Sequence, residues 1–290
     1  MLNQHKLACG GTGCTMFETR KQNLGLTRTA FHTLGLIYHA TVRQIRKSHG
    51  NAIIGLLINI MQTVVFVGVF YLMFEVLGMR GAKIAGADFL LYLMSGIFLF
   101  LTHNKALGAV MGAEGPASPM MQHAPMNTAI AITSAALASL YLQLLSVLVV
   151  LFIYHIAFTP VVIIEPSKAM AMLLLAWVSG CAIGLLFLAI KPWSPSFVNI
   201  ASQLYTRANM ITSGKMFVAN TLPSFMIAMF DWNPLFHCID QIRGFVFLNY
   251  TPRHTSIEYA VFFTLGMIML GMLGEFYTRK FASLSWGAKR

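Results

Sequence analysis

From Ala52 to Phe74 the chain runs for 23 residues without an Asp, Glu, Lys, Arg or His. Gly115–Ile164 is 50 residues without Asp, Glu, Lys or Arg, and Ala169–Ile190 is another 22. About 20 apolar residues in a helix match a hydrocarbon core of about 30 Å. A water-soluble chain would break such runs every few residues to make a wet face. In lipid the backbone must satisfy itself, which leaves helices or closed barrels. The expectation is an all-α integral membrane protein, with no segment left over for a soluble domain.

The charge pattern agrees. Only 10% of the residues are charged, against 57% hydrophobic, yet the net charge is +11. Such a balance would suit nucleic acid if the cations lay on one face. Instead seven of the 20 basic residues precede Asn51 and four follow Tyr277, flanking the spans. That is the positive-inside pattern, and it argues against nucleic acid as a partner. Cys181 and Cys238 are isolated in apolar surroundings, where packing is their default role. Cys9 and Cys14 bracket a Gly-rich stretch, but one pair does not complete a four-ligand metal site. Met16 is an alternative start, and the N-terminus lacks the pattern of a signal peptide.

Three units are expected: a tail over 1–26, a cytoplasmic interface helix over 27–48, and a transmembrane domain over 49–290. In the second, Phe31, Leu34, Ile37, Tyr38, Val42 and Ile45 follow helical spacing and Arg43, Arg46 and Lys47 close the segment. An amphipathic basic helix of this kind lies in the membrane interface. The spacing predicts spans near Ala52–Phe74, Phe89–Leu101, Thr128–Tyr154, Ala169–Ile190, Phe197–Phe217 and Tyr259–Tyr277. His103, Asn104 and Lys105 mark the approach of the second span to the interface, where Lys snorkels. The loop Gly112–Asn127 holds Glu114 and Gln122 and is broken by Pro116, Pro119 and Pro125. Met216–Phe230, broken by Pro223, reads as a re-entrant or interfacial element before the last span. Six crossings place both termini on the basic, cytoplasmic side.

Chemistry is sparse. No Gly-x-x-x-x-Gly-Lys-Ser/Thr phosphate cradle is present, so the chain is not expected to hydrolyse nucleotide by itself. Asn233 is a good N-cap and Pro234 suits the first helical position, so a helix should run from there towards Phe247. Its residues His237, Asp240, Gln241 and Gly244 share a face, and Arg243 lies three residues after Asp240, close enough to pair. The face reads either as a structural cap or as the rim of an exit path. His237 and Asp240 lack a third ligand of convincing spacing, so neither a metal nor a catalytic dyad is expected, and no cofactor is. Arg207 and Lys215 fall inside the fifth predicted span. An ionisable group there faces a cavity or a partner, or else snorkels. At about 100° per residue the two are about 80° apart and share one lumen, suited to an anionic cargo.

In its last third the chain resembles the ABC-2 type permeases that export capsular polysaccharide and O-antigen. The residues that carry the resemblance are Ser213-Gly214, Leu222-Pro223, Trp232-Asn233-Pro234-Leu235, then His237, Asp240, Arg243, Tyr250 and Tyr259. The basic stretch Arg43–Lys47 before the first span, and Phe89–Phe100 with Ser95-Gly96, are similar too, so about residues 30–285 are covered. Asp240 stands where that family has the longer Glu, and Lys215 where it has an apolar residue. The resemblance implies a homodimer of six-helix subunits in the bacterial inner membrane, docked on two copies of a separate ATPase. The substrate it implies is a lipid-linked glycan moved from cytoplasm to periplasm. Arg43, Arg46, Lys47, Glu114 and Gln122 would receive the ATPase motion. Arg207, Lys215, Trp232, Asn233, Pro234, His237, Asp240 and Arg243 would border the translocation path. Two other readings stand beside it: an ABC-2 permease for a drug, lipid or teichoic-type polymer, and a membrane-embedded transferase.

Overall fold

The computed structural model describes residues 26–49, 52–78, 84, 88–114 and 128–281. These residues form nine α-helices and no strand: α1 Leu26–His49, α2 Ala52–Val76, α3 Phe89–Met111, α4 Thr128–Ala157, α5 Pro166–Ile190, α6 Pro195–Thr212, α7 Ser224–Phe230, α8 Pro234–Val246 and α9 Ile257–Phe281. A 3-10 turn, Ala219–Thr221, precedes α7. Cys9, Cys14, the tail up to residue 25 and most of the Pro-rich loop, Gln122 included, lie outside the described residues.

Among the described residues five helices, α2, α3, α4, α5 and α9, are long and apolar enough to cross a membrane. The protein is therefore a multi-pass helical membrane protein. The expected sixth crossing falls short on apolarity. α6 has 18 residues, about 27 Å at 1.5 Å each, and carries Asn199, Arg207 and Asn209. It also stops at Thr212 rather than running on to Phe217, because Gly214 takes φ +70 and turns the chain.

The second span is longer than its apolar run. α3 continues past Leu101 to Met111, and His103 is wholly buried within it. Asn104 and Lys105 therefore lie within the helix rather than at its end; Lys105 reaches across to the Asn59 side-chain oxygen of α2. Hydropathy truncates this helix because it counts its polar residues as wet, whereas His103 and Lys105 find partners on neighbouring helices and the buried Asn104 amide has no protein partner among the described residues. Asn59 donates to Ser146 Oγ at 2.6 Å and to the Leu142 carbonyl at 3.0 Å, both on α4. His103 bonds Ser179 of α5 at 2.9 Å and Tyr205 of α6 at 3.0 Å.

α3 is the central helix, apolar nearly all round and enclosed by α2, α4, α5 and α8. Its closest partner is α5. A Cβ on Gly180 would lie 2.3 Å from the His103 carbonyl oxygen, and one on Gly184 would lie 2.7 Å from that of Leu107. Small residues bring the backbones together where apolar side chains alone give no preference over lipid. α9 packs on α5 in the same way, with Gly271 against Leu185 and Gly274 against Ala189. α1 lies against α4 and α2, leaving Phe31, Leu34 and Tyr38 exposed along one face.

The helices alternate in direction, so the bundle has two ends. One gathers Asp88, Tyr154 and Thr159, with the Glu165 amide donating to the Phe245 carbonyl at the close of α8. The other gathers Met111 with Lys191, and Trp193 with Thr278.

Candidate functional site

The loop leaving α6 and the helix α8 form one buried polar unit. α8 begins as the sequence predicts: Asn233 caps it by accepting from the Leu235 amide at 3.0 Å, with Pro234 in its first turn. The same side chain donates to Asn209 Oδ1 at 2.7 Å and Thr212 Oγ1 at 2.8 Å, tying the start of α8 to the end of α6. Gly214 is required there twice over, by its left-handed φ and by the Phe236 ring, which a Cβ would approach to 2.5 Å.

Arg243 holds this loop in place. Its guanidinium donates to the carbonyls of Gly214 at 3.1 Å, Lys215 at 2.8 Å and Phe217 at 2.5 Å, and stacks 4.3 Å from the centroid of the Tyr92 ring. The fork geometry of Arg serves several acceptors at once, which Lys does not. Close approach of the loop to α3 is made possible by Gly96, whose Cβ would lie 2.9 Å from Lys215 Cα.

Asp240 and Arg243 do not pair, although three residues separate them. The Asp240 carboxylate accepts the Tyr250 hydroxyl and, at 2.8 Å, that of Thr255. Burial, then the Asp240 charge and its hydrogen bond, push the Tyr250 phenol well above its usual range. His237 spans two loops. Its Nδ1 accepts from the Ser256 amide at 3.1 Å, which leaves Nε2 as the donor to the Asp231 carbonyl at 2.7 Å. Tyr259 packs on the imidazole with centroids 4.6 Å apart. Asp240, His237 and the terminal nitrogens of Arg243 are each engaged by neighbouring loops, so the cluster ties those loops together, while Arg243 Nε and Asn209 Nδ2 have no protein partner among the described residues. No group of three His, Cys, Asp or Glu among the described residues could hold a metal ion.

Lys215 and Arg207 part company. Lys215 lies beyond the end of α6, so the helical angle that put both in one lumen does not apply. Its ammonium is inside the subunit, 3.6 Å from the Phe100 centroid, 5.1 Å from that of Phe70 and 5.5 Å from that of Phe66, and donates to the Met210 carbonyl at 2.8 Å. Three ring faces and one carbonyl take the place of water around this cation. Arg207 instead stands on the exposed face of α6 with Ile200, Leu204 and Ile211. Trp232 is half-exposed beside Asp231. A groove of about 670 Å³ runs along α2 and reaches α6 at Met210, lined by Leu57, Met61, Val65, Phe66 and Phe70 among others. Phe66, Phe70 and Met210 thus line the groove while also holding Lys215 behind it.

At the opposite end, α1 meets the close of α3 and the start of α4. Arg43 and Glu114 line one small cavity there, with Gln44 and Ser134. Arg46 is exposed one turn on, at the rim of a second groove between α1 and α4. The side chain of Lys47, like Gln122, is outside the described residues.

Sequence reasoning missed the two intramembrane polar clusters at His103 and Asn59. Their signal was present as single polar residues, Asn59, Gln143 and Ser179, in otherwise apolar runs; nothing local said which would meet.

No family model matches the chain. It is similar to the polysialic acid transport protein KpsM of Escherichia coli, 25% identical over 206 residues that make up 68% of this chain and 76% of that protein. A second Escherichia coli protein of the same description is 28% identical over 117 residues, 39% of this chain and 45% of its own length. The likeness to capsular polysaccharide export permeases read from the residues is thereby borne out.

Proposed function

We propose that this chain is the membrane-spanning subunit of an ABC exporter that carries an acidic, lipid-linked polysaccharide from cytoplasm to periplasm. The observation that carries the reading is the similarity, over two-thirds of the chain, to a transport protein for polysialic acid, itself a polyanion. The structure supports it in two places. The exposed cation Arg207 lies on α6, the helix that the α2 groove reaches, where an anionic polymer would meet it. Arg43 and Glu114 line one cavity at the other end of the bundle, where a separate ATPase would push on α1 and the loop after α3.

In this reading the chain sits in the bacterial inner membrane with both termini cytoplasmic and α8 on the periplasmic side. Two copies face each other across α2 and α6, whose apolar face is otherwise left uncovered, and each engages one ATPase. The 27–48 unit is the interface helix and 49–290 the transmembrane domain. Arg207 and Trp232 border the path. Lys215, Asn233, Pro234, His237, Asp240 and Arg243 set the shape of its wall from inside the subunit. Transport needs no catalytic residue in this chain, and ATP is hydrolysed by the partner.

The deciding experiment deletes the gene and measures surface polysaccharide. Loss of polymer, with an intracellular lipid-linked pool, is expected, and re-expression should restore export. Unchanged surface polymer would remove the reading. Cysteine at Glu114 or Gln122 should crosslink to the ATPase; absence of any crosslink in an intact complex would remove the coupling role of that loop.

A further inference from the structure

α4 and α5 are consecutive in the chain, yet they barely touch. Between them lies a cavity of about 240 Å³. Its walls come from four helices, with Met94 and Phe98 of α3, Val147 of α4, Leu173 of α5, and Ile242 and Val246 of α8. Ser95 has the one polar side chain among the described residues lining it, and that hydroxyl is already donated to the Tyr92 carbonyl. Such a wall offers water no partner, and apolar cavities of about 150 Å³ stay dry and take up apolar guests. Leu148 and Met170, both exposed, flank the mouth, so it opens between two membrane spans. The medium at that opening is lipid hydrocarbon. The lining on α5 runs from Pro166 to Leu173, about 10 Å of helix, so the space is a slot rather than a sphere.

The Pro166 end of the slot carries charge. Lys168 Nζ lies 2.6 Å from Glu165 Oε2, and both side chains are partly exposed. The same ammonium stands 5.4 Å from the ring centroid of Phe245, the neighbour of the wall residue Val246. One cation and one anion at the head of an apolar slot complement a phosphate and an ammonium on an acyl chain.

We propose that the space between α4 and α5 is a lipid site, holding one acyl chain of a zwitterionic phospholipid with its phosphate on Lys168 and its ammonium on Glu165. The chain fills the joint that protein side chains leave open, and so couples the packing of α4 to the α3–α5–α8 core.

The test is native mass spectrometry of the full chain in mild detergent, titrated with dioleoyl phosphatidylethanolamine or with glycerophosphoethanolamine, the head group alone. One phospholipid should be retained per chain, and the head group should not be. Val147→Phe, which fills the slot, should lower retention at least tenfold. Lys168→Gln, at an exposed position, should lower it several-fold without altering the fold. Equal retention by Val147→Phe and the native chain would overturn the site. Equal retention by Lys168→Gln would overturn the head-group assignment. Should Val147→Phe fail to fold, Ala169→Leu, at a buried position of the same lining, decides by the same titration: a several-fold loss of retention supports the site, and equal retention overturns it.

Discussion

Arg243 of α8 stacks its guanidinium on the ring of Tyr92 of α3, 4.3 Å from the centroid, while its N–H groups hold the carbonyls of Gly214, Lys215 and Phe217. One side chain thereby joins α3, α8 and the loop leaving α6. Arg243→Met should remove the donors and leave three carbonyls short of partners, each unsatisfied buried group costing about 1–3 kcal/mol. The expected result is a strong loss of thermal stability in detergent. Arg243→Lys should recover little, since a point charge does not reach three acceptors in a fork. Melting within 1–2 °C of the native chain for either variant would show that the loop holds itself.

Gly214→Ala should destabilise for two separable reasons. A left-handed φ costs a Cβ-bearing residue about 1–2 kcal/mol, and the new methyl would meet Phe236 at 2.5 Å, an overpacking worth about 1–3 kcal/mol. Adding Phe236→Leu to Gly214→Ala should restore stability in part, leaving the backbone cost. A double variant no more stable than expected from the two single changes would show that the ring yields freely.

Arg207→Ala should leave expression and folding unchanged, because the side chain is exposed on α6 and holds nothing inside the subunit. Export of an acidic polymer should fall several-fold, and Arg207→Lys should retain part of it, because charge matters more than fork shape for a sliding chain. Surface polysaccharide measured at equal permease level is the readout. Native export by Arg207→Ala would confine the residue to snorkelling.

Asp88 provides a pH-dependent contribution at the α8 end. Burial works to raise its pKa, but the donors Tyr154, the Leu90 amide and Thr159 outweigh it and hold the carboxyl below its usual value. A folded-state pKa below the unfolded one adds stability above about pH 4, lost as pH falls through the lower value. Thermal melts between about pH 5 and pH 3 should therefore decline less steeply for Asp88→Asn than for the native chain. Identical slopes would show that Asp88 makes no net contribution.

The sequence by itself determined that this is a helical membrane protein, where three of its spans begin, and where α8 starts. Those follow from local causes: unbroken apolar runs, a capping Asn233 and the ring of Pro234. It also displayed the separate pieces of the candidate site. It did not determine their arrangement. Lys215 and Arg207 appeared to share a helix face, yet a single left-handed glycine ends α6 between them, and only the packing of Phe236 and Arg243 around the turn fixes where the loop goes. Asp240 and Arg243 stood at pairing distance in sequence, but the carboxylate finds the hydroxyls of Tyr250 and Thr255 and the guanidinium finds backbone. α3 looked shorter than it is because hydropathy counts His103, Asn104 and Lys105 as exposed. Tertiary structure surrounds His103 with Ser179 and Tyr205, and gives Lys105 the oxygen of Asn59. In lipid, a polar side chain is tolerated according to the partners that other helices bring to it, and that sum over distant residues is not written in any local stretch of the chain.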